Sequence, residues 1–384
     1  MKTEKKLSLS MHEPVLAGNE WTYVKECLDT AWVSSVGKFV DRFEAELARR
    51  SGTKHAVAVV NGTSALDLCL RILGVKAGDE VLVPSLTFIA TVNAAAYQSA
   101  TPVFVDVEES TFGMDPDALE AFLASQTEQR GGVCVRKASG RRIAACVPVH
   151  ALGYPVRIEP LLESCAKRGI PVLEDAAEAL GSTYRGRPLG SFGSLGALSF
   201  NGNKILTTGG GGAVVTNDAE LARRAKHLST QAKSDGDAFW HDEVGFNYRL
   251  TNVAAALGCA QLEQLDGFMV RKREIANLYR KLLAGSPVKL AWEPEGARAN
   301  CWLNTAIAPT PESAAKILAA LRSRGVGARP LWAPAHRQPM FKDCPRASDM
   351  AVTDRLWRAC VSLPSSANLS DEDVAAVAAI VLEP

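Results

Sequence analysis

Ala56-Val-Ala-Val-Val-Asn-Gly-Thr-Ser-Ala-Leu66 reads as a strand that stops at a turn and becomes a helix. The first five residues are all apolar and mostly β-branched, the pattern of a short strand covered on both faces. Asn61-Gly-Thr-Ser64 supplies turn and N-cap chemistry, and 63–73 takes up the helical period. The same kind of run recurs at 80–84, 102–106, 143–149, 170–174, 197–200 and 213–216, with helix-period segments between, such as the one opened by Asp115-Pro116. This alternation predicts an α/β fold with a doubly wound, largely parallel sheet, and such sheets bind ligands at the C-terminal ends of their strands.

Beyond Asp218 the pattern turns mainly helical, over 219–229, 252–266 and about 268–284. An α+β unit follows, with a strand near Leu303-Asn-Thr-Ala-Ile307, a helix over 311–324 and the Pro-rich loop Arg329-Pro-Leu-Trp-Ala-Pro-Ala-His336. The expected division is 1–267 for a large lobe and 268–384 for a connecting helix and small lobe, which a long helix can join in place of a loop.

The 384 residues carry 43 Lys and Arg against 42 Asp and Glu, a net charge of +1 that lacks the basic excess of nucleic-acid binders. Hydrophobic residues make up 47% and charged residues 22%, which suits a globular protein and not a disordered one. Met1 to Ser10 is polar and no run has the length of a membrane span, so a cytoplasmic location is expected. Nine scattered cysteines without a Cys-x-x-Cys pair predict reduced, mostly buried thiols. The six histidines show no metal-ligand spacing, and no metal is expected.

Four segments fall at strand ends. The Asn61-Gly-Thr-Ser64 turn offers backbone N–H groups and hydroxyls to a phosphate; taken alone, it is equally a capped βα turn. Val83-Pro-Ser-Leu-Thr-Phe88 puts an aromatic ring where a planar ligand can stack, although most such rings are core. Val172-Leu-Glu-Asp-Ala-Ala-Glu178 ends an apolar strand in carboxylates, and a buried carboxylate there needs a partner such as a protonated ring nitrogen. Asp175 and Glu178 share a face if a helical turn begins at that point. In Ser199-Phe-Asn-Gly-Asn-Lys204 a lysine follows a strand and precedes Gly209-Gly-Gly-Gly212, a tract explained by close approach of backbone to a bound group. A phosphate-gripping turn, a stacking aromatic, a strand-end aspartate and a later lysine are the parts that pyridoxal phosphate requires. The turn lacks the Gly-x-Gly-x-x-Gly of a nicotinamide enzyme.

With Gly245-Phe-Asn-Tyr-Arg-Leu-Thr-Asn252 added, these motifs resemble the DegT-like nucleotide-sugar aminotransferases, fold-type I pyridoxal phosphate enzymes, over nearly the whole chain. The resemblance implies that Lys204 is the Schiff-base lysine and Asp175 the partner of the pyridinium, with Phe88 stacked on the ring. Gly62, Thr63, Ser64 and Ser199 would hold the phosphate, and Asn247 would reach the phosphate of a neighbouring subunit, which makes the active unit at least a homodimer. Glu178 stands where members often carry Gln or His near the cofactor's phenolic oxygen. Lysine at 204 favours transamination over the dehydratases of the family, which carry histidine there. The resemblance also places Arg249 and His336 at the site mouth as candidate substrate contacts; the plain alternatives are an ion-paired arginine and a hydrogen-bonded loop histidine. Trp21, Trp32 and Trp332 are candidates for stacking on base or sugar, or for packing, and Arg271-Lys-Arg273 reads as a solvated helix face. The segment His12 to Phe43, Thr207 to Gly212 and the 329–339 loop are similar to the LegC-type branch. That likeness implies transfer of an amino group from L-glutamate to C4 of a UDP-linked 2-acetamido-4-keto-2,6-dideoxyhexose for a surface glycan. A GDP-linked keto-sugar and a non-catalytic, cofactor-binding regulator are the alternatives.

Overall fold

The computed structural model describes residues 7–384, so most of the polar N-terminal stretch lies outside the described residues. Seven strands, β1 (His55–Val59), β2 (Glu80–Pro84), β3 (Thr101–Val105), β4 (Ile143–Cys146), β5 (Leu173–Asp175), β6 (Leu195–Ser199) and β7 (Gly212–Thr216), lie side by side in the order β3-β2-β4-β5-β6-β7-β1. Between β4 and β5 the sheet continues through the parallel bridges Cys146–Val172 and Val149–Asp175. Only β7 is antiparallel to its neighbours. The C-terminal ends of β1, β2, β4, β5 and β6 therefore meet at one edge, which brings segments far apart in sequence together.

Alternate side chains of the strands feed two separate cores. Val57, Val59, Val81, Val83 and Phe104 pack in one cluster, whereas Ala58, Leu82, Val103 and Val105 pack in the other. Helices α3 (Gly62–Ile72), α4 (Ala90–Tyr97) and α7 (Ala219–Ser229) cover the first face. Helices α1 (Glu20–Asp29), α2 (Lys38–Arg50), α5 (Pro116–Gln126), α6 (Ile158–Ala166) and α10 (Ala351–Ala359) pack into the second. This two-sided burial is what the uninterrupted apolar runs required. All nine cysteines are free, and eight of them are buried.

The segments read as two helices at 252–266 and 268–284 form one helix, α8 (Asn252–Leu282). Gly267 costs about 1 kcal/mol in a helix interior, which is small against the burial of Leu262 and Leu265 before it and of Phe268, Ile275 and Tyr279 after it. The far end of α8 packs against an antiparallel sheet of β8 (Lys289–Leu290), β9 (Asn304–Ile307), β11 (Cys360–Leu363) and β10 (Arg329–Pro330). Helices α9 (Pro311–Ser323) and α11 (Asp371–Leu382) complete that third core. The basic stretch is not a solvated face: Arg271 pairs with Asp371 and Arg273 with Glu293, while Lys272 between them is 1% exposed. Among the described residues no helix is long and apolar enough to cross a membrane.

Candidate active site

A cavity of about 500 Å³ opens at the strand-end edge, within the range of small-molecule and cofactor sites. Its walls include Gly62, Thr63, Phe88, Asp175, Glu178, Ser199 and Lys204. At one end, α3 begins with Asn61 Oδ1 accepting the Ser64 N–H at 2.7 Å. That cap leaves the first-turn amides of Gly62 and Thr63 without intrahelical acceptors, facing the cavity with the positive end of the helix dipole behind them. A Cβ at Gly62 would stand 2.7 Å from Ser199 Cβ, so glycine is needed for the helix start and β6 to come this close. Ser64 departs from expectation: its amide is taken by the cap and it does not line the cavity.

Asp175 ends β5 at 4% exposure. Oδ2 accepts from Thr91 Oγ1 at 2.7 Å and Oδ1 from the Ala177 amide at 3.1 Å. Burial pushes this carboxyl up from its ordinary range, which the Thr91 and Ala177 donors partly offset. A cationic N–H arriving in the cavity is the partner such a group lacks. No helix starts at Asp175; turns carry Glu178 into the same wall. Glu178 Oε2 accepts the Leu152 amide at 2.7 Å, and Oε1 lies 3.0 Å from Lys204 Nζ. Burial raises the Glu178 carboxyl, and the Lys204 ammonium works against that rise. Phe88 stands on the lip, 54% exposed, an aromatic face that a planar ligand would cover.

The glycine tract has a different cause from the one expected. Gly209 to Gly212 are absent from the cavity wall; a Cβ at Gly212 would meet the Asn61 carbonyl carbon at 2.5 Å, and Gly209 has φ +79°. The close approach is to the chain's own Asn61-Gly62 turn, so the tract shapes the cradle from behind.

The two candidate substrate contacts are not brought to this cavity. His336 is 2% exposed, with Nδ1 2.6 Å from Ser85 Oγ and Nε2 3.5 Å from Asp354; it braces the loop, and burial pushes its imidazole below the ordinary value. Arg249 pairs its backbone with Val59 beside the cradle and leaves Nε buried with no partner among the described residues. Asn247 is exposed, outside its own chain's cavity. Trp332 lines the wall, whereas Trp21 and Trp32 lie on the surface, 75% and 57% exposed. Away from the site, His227, Asp242 and Glu243 come together; His227 Nε2 lies 2.7 Å from Asp242, and Arg224 holds Glu243, so these carboxylates are already matched.

Residues missed by the sequence reading are Thr91, which holds Asp175, and Trp302, whose ring lies under Lys204. Thr91 lies three residues past the quoted Val83–Phe88 motif, and only side-chain direction shows its role. Thr91→Val removes a donor to the ionised carboxyl, so Asp175 keeps its proton to higher pH. The acid limb of the activity profile is expected to move upward by about half to one pH unit, and an unmoved limb in a pH–rate measurement would count against this role.

The cavity residues fit pyridoxal phosphate: a buried, acceptor-only carboxylate for the ring nitrogen, a glycine-shaped amide cradle for the phosphate, and an amine between them. A mainly parallel seven-stranded sheet with these groups on its C-terminal edge defines a fold-type I pyridoxal phosphate enzyme. The chain belongs to the DegT/DnrJ/EryC1/StrS aminotransferase family, whose profile matches residues 14–382. It is 39% identical over 366 residues to GDP-perosamine synthase of Escherichia coli O157:H7, covering 95% of each chain. It is 38% identical over 373 residues to GDP-perosamine synthase of Caulobacter vibrioides, again covering 95% of each. Among solved structures, S. venezuelae DesV in complex with a ketimine intermediate superposes with a TM-score of 0.85 at 32% identity, covering 95% of this chain and 94% of DesV. The protein is thus a pyridoxal phosphate-dependent sugar aminotransferase, not a cofactor-binding regulator.

Proposed function

We propose that the enzyme moves the amino group of L-glutamate to the C4 keto group of a GDP-linked 4-keto-6-deoxy sugar for surface-glycan synthesis. The observation that carries the chemistry is the placement of Lys204 Nζ and the Asp175 carboxylate on one cavity wall. The GDP-linked alternative replaces the UDP-linked sugar implied by the LegC-type likeness, because the relatives named above are GDP-perosamine synthases.

Bound here, pyridoxal phosphate supplies the carbonyl that takes up the amino group and a ring that holds the electrons released at carbon. The protein's part is division of labour around it. The Gly62 and Thr63 amides and the Ser199 hydroxyl would hold its phosphate, and Phe88 would cover the ring and exclude water. Asp175 would keep the ring nitrogen protonated, with Thr91 keeping Asp175 ionised. Lys204 Nζ takes the proton from the substrate carbon and returns it, with Glu178 fixing the free amine. The exposed Asn247 suits a contact made across a two-fold axis to the phosphate in a second copy. The lobes divide within α8, 1–267 carrying the cofactor and 268–384 closing over the sugar.

A panel of GDP- and UDP-linked 4-keto-6-deoxy sugars, each incubated with holoenzyme and glutamate, tests the reading by mass spectrometry. Aminated product and 2-oxoglutarate in equal amounts are expected, most rapidly with the GDP-linked substrate. Faster amination of the UDP-linked sugar overturns the nucleotide assignment.

A further inference from the structure

Trp302 comes from the segment just before β9, nearly 100 positions after Lys204 in sequence, yet it is built onto the lysine's loop. Its indole Nε1–H donates to the carbonyl of Asn203, the residue next to Lys204, at 2.7 Å. Its ring face lies 4.2 Å from Lys204 Nζ. The indole is 3% exposed, so both contacts are made away from bulk water, where an aromatic–ammonium contact and a single hydrogen bond count most.

Trp302 is itself held firmly. Its amide donates to Asn300 Oδ1 at 2.9 Å, and Asn300 Nδ2 donates to the carbonyls of Glu178 at 2.8 Å and Leu180 at 3.0 Å. Its carbonyl accepts from Lys272 Nζ at 3.1 Å. Lys272 also donates to the Ser365 carbonyl and has no carboxylate partner among the described residues; burial pushes its amine down to about 7. His12 packs edge-on against the indole, and burial beside Lys272 and Lys204 pushes its imidazole down to about 2, so it stays uncharged. The contacts close a ring: Glu178 to Asn300, Asn300 to Trp302, Trp302 to the Lys204 loop, and Lys204 back to Glu178.

We propose that Trp302 is a positioning residue for Lys204, with its indole N–H pinning the 201–204 loop and its ring forming the wall that keeps the amine in the cavity. The inference rests on the reading of Lys204 as the cofactor's lysine. It accounts for the hydrogen bond that the segment before β9 makes with the lysine loop, and it ties the geometry of the reactive amine to α8 through Lys272.

The test uses apoenzyme of the full chain, wild type, Trp302→Phe and Trp302→Leu. Two quantities are read: backbone hydrogen exchange over 201–205, and the rate at which added pyridoxal phosphate becomes borohydride-fixable on Lys204. Phe keeps a ring but loses the donor. It should speed exchange in this loop about tenfold, the size of one lost buried hydrogen bond, and slow capture several-fold, and Leu should slow capture further. Melting temperature reports the folded fraction, since a purely structural role would lower stability without changing capture by folded protein. Equal exchange and equal capture rates in all three proteins overturn the proposal alone. Failure of the wild type to capture the cofactor on Lys204 overturns the cofactor reading and this inference with it.

Discussion

Lys204→Ala is expected to lower turnover by about 10^4-fold, because one side chain holds the cofactor and moves the proton, and general acid–base catalysis alone supplies about 10^2 to 10^4. The loss should fall on kcat, and the cofactor should wash out on dialysis. The fold should survive: Lys204 sits in a loop at 13% side-chain exposure, and its ion pair with Glu178 leaves a carboxyl already raised by burial, which can take a proton once the ammonium is gone. Steady-state rates with glutamate, beside a melting curve, separate the outcomes. Repeated turnover by this variant without added amine would contradict the assignment.

Asp175→Asn should cost about 10^2- to 10^4-fold in kcat while leaving cofactor attachment to Lys204 intact, a split between chemistry and binding. The amide oxygen can still accept the Ala177 N–H, and Nδ2 can donate to the Thr91 hydroxyl in place of accepting from it, so the strand end keeps both contacts with one reversed in direction. What is lost is the negative charge that holds a ring nitrogen protonated, and without it the ring is a weaker acceptor of the electrons released at carbon. The site is buried, so water cannot replace the missing charge. Rates within threefold of wild type at full cofactor occupancy would show that Asp175 plays no such part.

The sheet and the groups at strand ends were legible because both are local in sequence. An apolar run followed by Asn61-Gly-Thr-Ser64, or by Glu174-Asp175, declares a strand and the chemistry at its end together. The parallel topology then gathers those ends without further information. What stayed hidden depends on side-chain direction or distant contact. Thr91 is one helical position among several until its hydroxyl is seen on Asp175. Trp302 reaches the Lys204 loop from far along the chain, 99 positions from Asn203. Lys272 looked solvated because its neighbours in sequence are charged, yet the helix turns it inward while Arg271 and Arg273 find surface partners. His336 was drawn toward the site by the resemblance of its loop, but its ring is buried on Ser85, with Asp354 3.5 Å from Nε2, and does not line the cavity. Gly209 to Gly212 pointed to a bound group, although the close neighbour of Gly212 is the chain's own Asn61-Gly62 turn.

The central claim, that Lys204 is the amine that carries pyridoxal phosphate, is tested most directly by borohydride reduction of the holoenzyme followed by peptide mapping. The cofactor mass should be found on the peptide containing Lys204, and prior incubation with glutamate should abolish that labelling because the cofactor then leaves the lysine. Labelling on any other lysine, or labelling unchanged by glutamate, would contradict the account.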